Sequence, residues 1–484
     1  MAELKVLFAT SEVAPLIKTG GLADVSGALP AALRAIGVDV RVLVPGYSQV
    51  IEQLANHDVV ANFDDLPGFP SARLLSGAMA NDVPLFVLDC PALYQRAGGP
   101  YQNTYGHDWP DNALRFGLLS KAGALLGNSA SPLAWRPDLV HCNDWQTGLT
   151  PAYLHFATGS VPSIISIHNL AFQGNFPPAT VKQLHLPPSC YSIDGVEFHG
   201  NMSFLKAGMF YADYITTVSP NYAKEIQQPE LGFGMQGLLT TRSDHLIGIL
   251  NGIDTKEWDP ATDTFLASQY SRADMSGKSA NKEDLQVRMG LDIELDVPLL
   301  GVVSRFTHQK GLDLLLEIVP SLTRLPVQLA MLGSGDAKMQ KSARDLSHLY
   351  PGKVSAMIGF SEELSHRIEA GADMFVMPSR FEPCGLNQMY SQRYGTPPIV
   401  NATGGLVDSV VDCTPATLNG GTASGFVFDG MTAKNLIAVI QRAVGLYHDR
   451  HNWMALCKNC MAKDFSWKTS AAAYRAVYFK VLGR

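Results

Sequence analysis

Short, largely apolar runs, each followed by a glycine-rich or polar loop and then by an apolar stripe at helical spacing, recur along this chain in two successive sets. A strand with apolar residues on both faces must be covered on both. Alternating such strands with helices gives a parallel sheet between helical layers. The opening residues form one such unit: Leu4 to Thr10 reads as a strand, Gly20-Gly21 as a turn, and Leu22, Val25, Leu29, Leu33 and Ile36 as one face of a helix. Val38 to Val44 is the next strand. Pro30 lies inside the helix, removes a backbone donor and is expected to kink the axis.

Runs at Pro84 to Leu88, Leu139 to Cys142, Ser163 to Ile167 and Tyr214 to Val218 complete the first set. Leu299 to Val303, Val327 to Leu332, Val354 to Ile358, Asp373 to Met377 and Pro398 to Val400 form the second. The chain therefore reads as α/β, with two doubly wound Rossmann-like domains facing across a cleft. The turn signal Asn251-Gly252-Ile253-Asp254 marks the join. It divides the chain into residues 1–250, 251–462 and a tail, 463–484. In the tail, Trp467, Ala471, Tyr474, Val477, Tyr478 and Val481 make an amphipathic helix. The polar stretch Ser268 to Lys282 reads as surface connection.

Composition excludes several functions. With 46% hydrophobic and 17% charged residues the chain is globular, and a net charge of −7 gives no broad cationic face for nucleic acid. No run of 18 or more apolar residues occurs, and no charged segment followed by an apolar stretch precedes the first strand. No membrane partner and a cytoplasmic location are expected. The seven cysteines are scattered, as reduced thiols are, and Cys457-x-x-Cys460 has no second ligand pair at zinc spacing; it reads as two thiols on one helix. Gly333-Ser334-Gly335 lacks the third glycine of a dinucleotide fingerprint, and there is no phosphate-binding G-x-x-x-x-G-K-[ST] loop.

Chemistry is expected in loops beyond the carboxyl ends of the strands, where open α/β sheets bind ligands. Lys18-Thr19-Gly20-Gly21-Leu22-Ala23-Asp24 follows the first strand, and Thr403-Gly404-Gly405-Leu406-Val407-Asp408 echoes it in the second half. Free N–H groups at such a turn favour an anion by about 0.3–1 kcal/mol per charge, too little to hold a diphosphate unaided. Arg305 and Lys310, after the strand Leu299 to Val303, supply the missing cations, a guanidinium fork and a point charge. Asp144, His168 and Asn169 follow two first-half strands, whereas His141 lies within its strand and reads as a core residue. Glu382 sits in the proline-flanked loop Pro378 to Leu386 and is placed to accept hydrogen bonds from a sugar ring. Tyr94, Tyr101, Tyr105 and Trp109 read as a mobile aromatic loop suited to sugar faces.

These motifs, with Asn143-Asp144-Trp145, Ile167-His168-Asn169, Ser304-Arg305-Phe306, Lys310-Gly311 and Arg380-Phe381-Glu382-Pro383-Cys384-Gly385-Leu386, closely resemble those of bacterial glycogen synthases, relatives of plant starch synthases, over essentially the whole length. The resemblance implies a two-domain glycosyltransferase of the GT-B type, moving glucose with retention from ADP-glucose to the nonreducing end of an α-1,4-glucan. It implies no metal and no cofactor, ADP-glucose being a substrate. It places Lys18, Gly20, Gly21 and Asp24 near sugar and diphosphate, Arg305 and Lys310 on the phosphates, and Glu382, His168 and Asp144 around the transferred glucose. Asn169, Asn251, Cys384, Gly385, Leu386, Thr403, Gly404 and Gly405 join the substrate contacts, and Phe360 stands where an aromatic ring meets adenine. The tail helix is expected to return to the first domain.

Two positions depart from the wider pattern: Tyr390 stands where many retaining relatives carry a second Glu, and Gln146 where some bacterial members have His. The competing readings are a transferase of the same fold using UDP-glucose or another acceptor, and a glucan-binding protein without catalysis. A glucan phosphorylase fits poorly, since the chain is short and has no pyridoxal-phosphate lysine motif.

Overall fold

A computed structural model describes residues 4–54 and 56–484. The first sheet contains β1 (Leu4–Ala9), β2 (Val38–Pro45), β3 (Asp58–Phe63), β4 (Ala72–Ala78), β5 (Pro84–Asp89), β6 (Leu139–Asn143) and β7 (Ser163–Ile167). Three short strands, β8 (Asn175–Phe176), β9 (Glu197–Phe198) and β10 (Asn201–Ser203), form a small separate sheet. β11 (Tyr214–Thr217) and β12 (Leu246–Gly248) complete the large one, whose order is β12-β11-β7-β6-β1-β2-β5-β4-β3.

The sheet is parallel from β12 to β5 and antiparallel at the β5-β4-β3 edge. The expectation of a wholly parallel sheet is corrected there. β3 has mostly exposed or half-buried residues and no continuous apolar run. The helix Gly21–Ala35 buries Leu22, Val25, Leu29 and Leu33 and runs unbroken through Pro30.

The second sheet comprises β13 (Leu299–Val303), β14 (Gln328–Gly333), β15 (Val354–Ile358), β16 (Met374–Met377), β17 (Pro398–Asn401) and β18 (Phe426–Phe428). All its pairings are parallel, in the order β15-β14-β13-β16-β17-β18, the doubly wound arrangement with its switch between β13 and β16. The corresponding switch in the first sheet lies between β1 and β6.

The chain divides into two units, one running to Gly252 and resuming from Trp467 to Arg484, the other spanning Ile253–Ser466. The terminal helix Trp467–Val481 belongs to the first unit and buries Trp467, Ala471, Tyr474, Val477 and Tyr478. His141 is a core residue, its ring held between the Tyr478 hydroxyl (2.8 Å) and Ser166 Oγ (2.7 Å), and burial pushes its pKa well below the ordinary value.

Ser268 to Lys282 is not mere surface connection. The helix Gly277–Met289 starts inside it and buries Asn281 and Lys282, and the Lys282 ammonium pairs with Asp373 at 2.7 Å. Cys457 and Cys460 lie buried on the helix Arg450–Met461, and all seven cysteines are free thiols. Among the described residues no helix is long and apolar enough to cross a membrane.

Candidate functional site

In the second unit the switch between β13 and β16 brings two predicted groups together. Arg305 and Lys310 lie in the loop after β13, and Glu382 in the loop after β16. The Lys310 ammonium donates to Glu382 Oε2 at 2.5 Å, and the same oxygen accepts from Ser379 Oγ at 3.0 Å. Glu382 is 5% exposed, so its charge requires these donors. An ammonium has three donors, and the Glu382 bond uses one of them. The Arg305 side chain is exposed and makes no hydrogen bond or ion pair with another described residue.

The loop carrying Glu382 is clamped by the second Thr-Gly-Gly. The Gly405 N–H donates to Glu382 O at 3.0 Å, and Gly404, at φ +46°, sits so close that a Cβ would fall 1.9 Å from Glu382 O. Thr403, Gly404 and Gly405 thus open the helix Gly404–Ser409 against the backbone of Glu382 to Cys384. Cys384 is buried, Gly385 has φ +72°, and Leu386 leads into the helix Asn387–Arg393. Tyr390 on that helix stacks on Trp258 (centroids 3.8 Å apart, 9° between planes), a contact no Glu could make. Phe360 is 86% exposed, its ring face open.

In the first unit Asp144 and His168 occupy adjacent strand ends, after β6 and β7. Asp144 is 8% exposed, at φ +54°, and its Oδ1 accepts the His168 N–H at 2.7 Å. Burial pushes its carboxyl up to about 7 despite the hydrogen bonds it accepts from the His168 and Asn169 amides. Burial pushes His168 down to about 4, so the ring is neutral at physiological pH; its Nε2 pairs with Asn143 Oδ1 at 2.9 Å. Asn169 Oδ1 accepts the Ala171 N–H, while the Oδ1 atoms of Asn251 and Asn401 are buried without a hydrogen-bond partner among the described residues. Gln146 Oε1 is likewise buried and unpartnered.

The first Thr-Gly-Gly differs from its echo. Lys18 pairs with Asp24 at 2.6 Å on the surface, a contact worth little in water. The turn's amides are not all free: those of Thr19 and Gly20 both donate to Glu12 Oε2, the second at 3.2 Å. Yet a Cβ built on Gly20 or Gly21 meets nothing within 4 Å, and neither residue has positive φ. Among the described residues nothing demands glycine there.

Glu12 escaped the sequence reading, although it follows an apolar strand just as Asp144 and His168 do. The aromatic loop is corrected as well. Tyr94 is a core residue donating to Arg115 O, Tyr101 is tied to Glu12 and Ser11, and Trp109 packs under Arg96; of the four, Tyr105 is freely exposed.

Residues 5–241 match the family model described as starch synthase catalytic domain, and residues 287–455 the one described as glycosyl transferases group 1. The chain is 58% identical to the glycogen synthase of Nitrosomonas eutropha over 480 residues, covering 98% of this chain and 96% of that one. Against the glycogen synthase of Nitrosospira multiformis it is 55% identical, covering 99% and 98%. Among solved structures it is similar to the catalytic domain of starch synthase IV from Arabidopsis thaliana bound to ADP and acarbose (TM-score 0.87, 31% identity, full coverage of both chains). It shares its fold with sucrose-phosphate synthase from Thermosynechococcus elongatus (TM-score 0.59, 16% identity, 99% of each chain). With two doubly wound α/β units and this degree of identity along its whole length, the chain belongs to the glycogen synthase family of GT-B glycosyltransferases, enzymes of glucosyl transfer in glycogen synthesis.

Proposed function

We propose that the chain moves glucose from ADP-glucose onto the 4-hydroxyl of the nonreducing end of an α-1,4-glucan, with retention at the anomeric carbon. The observation that carries this reading is the Lys310–Glu382 pair at the β13/β16 switch, beside the unpaired Arg305. The bond from the anomeric carbon to the phosphate oxygen breaks, and the acceptor oxygen forms its bond on the same face. The acceptor proton passes to the departing phosphate.

Negative charge grows on ADP as the bond breaks, and Arg305 with the remaining donors of Lys310 stabilises it, so the residues present meet that charge without a metal ion. Glu382 is held to accept hydrogen bonds from the glucosyl ring. Neutral His168 and Asp144 grip its hydroxyls, and the open faces of Gly20 and Gly21 admit the diphosphate. Phe360 offers its ring to adenine.

Incorporation of labelled glucose from ADP-glucose into glycogen tests the reading together with two variants. Glu382→Gln and Lys310→Ala are each expected to lower kcat by about 100-fold or more, since both remove stabilisation of the transition state. Cooperative thermal unfolding should persist in both. Near-parental turnover in either variant removes that residue from the mechanism, and absence of incorporation by the parent rejects the function.

A further inference from the structure

The helix Gly21–Ala35 begins after Gly20, which has no side chain, and no side-chain cap bond is made at its start. A helix start leaves orphan N–H groups that need acceptors. Of these, the Gly20 amide is taken by Glu12, in the loop leaving β1, whose Oε2 also takes the preceding Thr19 amide and whose Oε1 takes the Tyr101 hydroxyl. Tyr101 also pairs with Ser11 Oγ at 2.8 Å, and Glu12 is 3% exposed. The carboxyl group is therefore shielded from water and held by donors from inside the protein. The faces of Gly20 and Gly21 stay open.

We infer that Glu12 is a positioning residue, fixing the Thr19-Gly20 turn and the Tyr101 hydroxyl relative to each other so that the turn meets the sugar nucleotide already in place. This rests on the proposed reading of that turn as a diphosphate contact. The carboxylate does not itself help bind an anion, because a negative charge beside a diphosphate repels it. What it supplies is acceptor geometry: two amides converge on one oxygen while the other oxygen reaches across to the aromatic loop. Preorganising a turn in this way lowers the ordering cost that binding would otherwise carry.

Two variants separate geometry from charge. Glu12→Gln removes the charge but keeps the reach, since its carbonyl can accept both amides and its NH2 can donate to the Tyr101 oxygen. Glu12→Asp keeps the charge and falls short by one methylene. In the full chain, Glu12→Asp is expected to raise KM for ADP-glucose about tenfold, with KM for glycogen within about twofold of the parent. Glu12→Gln should stay within about threefold on both.

Hydrogen exchange at residues 18–21 gives a readout independent of turnover. It should quicken about tenfold in Glu12→Asp, whose shorter side chain no longer reaches the amides, and stay near parental in Glu12→Gln, whose carbonyl still accepts them. Parental donor KM and exchange in Glu12→Asp would overturn the inference, as would a Glu12→Gln variant as impaired as Glu12→Asp. If the parent transfers glucose from UDP-glucose alone, the donor assignment fails, and the same comparison made with UDP-glucose still judges Glu12.

Discussion

Asp144 and His168 sit at neighbouring strand ends, and burial drives both toward their neutral forms. The Asp144 carboxyl, pushed up to about 7, lies above its unfolded value. Its contribution to stability is fully present below about pH 4 and is lost as pH rises through about 7. His168, pushed down to about 4, contributes above about pH 6.5 and loses that contribution as pH falls through about 4. The two trends oppose each other over one window, so the parent alone cannot separate them. Asp144→Asn keeps an acceptor for the His168 amide and removes the ionisation. Its melting temperature relative to the parent is expected to climb as pH rises from about 4 to 7 and to level off above. Thermal denaturation across that range checks this, and a flat difference would mean that Asp144 ionises normally. The position of both residues was legible in the sequence as polar groups ending apolar strands. Their shifted ionisation was not, because desolvation depends on what later elements pack over them.

At the scale of elements, the two Thr-Gly-Gly turns look alike in sequence and do different work. Gly404 is required by packing: its φ is positive, and Glu382 O occupies the place of a Cβ. Gly21 faces open space at the start of a helix. Gly404→Ala is therefore expected to cost about 2–4 kcal/mol in stability through overpacking and strain. Gly21→Ala should leave the melting temperature unchanged or higher, since alanine favours a helix, while raising KM for the sugar nucleotide about tenfold, a loss of about 1.4 kcal/mol. Thermal melts and donor titrations of the two variants decide between packing and ligand as the reason for each glycine. The sequence showed the echo and its strand–turn–helix context, but which glycine touches backbone depends on tertiary approach. The same limit explains the missed strands. β13 and β7 are short, mostly apolar runs buried throughout or nearly so and were legible to the residue, whereas β3, half exposed at an antiparallel edge, carries no such signal. In Ser268 to Lys282 the buried Lys282 is polar in sequence and becomes a core residue through its ion pair with Asp373.

For the whole molecule, two doubly wound sheets each bring their loops to a topological switch, and each switch holds acidic groups that other side chains or amides restrain: Glu12 and Asp144 in one unit, Glu382 in the other. The alternation of runs made this architecture readable, and the spacing of the motifs made the family readable. The hydrogen bonds that lock each loop emerge from the fold. Glucosyl transfer in glycogen synthesis follows from membership of the family, and the proposal that ADP-glucose is the donor goes beyond it. The most direct measurement is kcat/KM for ADP-glucose and for UDP-glucose with glycogen as acceptor, in one preparation. An ADP-glucose donor site is expected to give a value at least about 100-fold higher for ADP-glucose, a discrimination of about 2.7 kcal/mol. Equal values, or a preference for UDP-glucose, would contradict it.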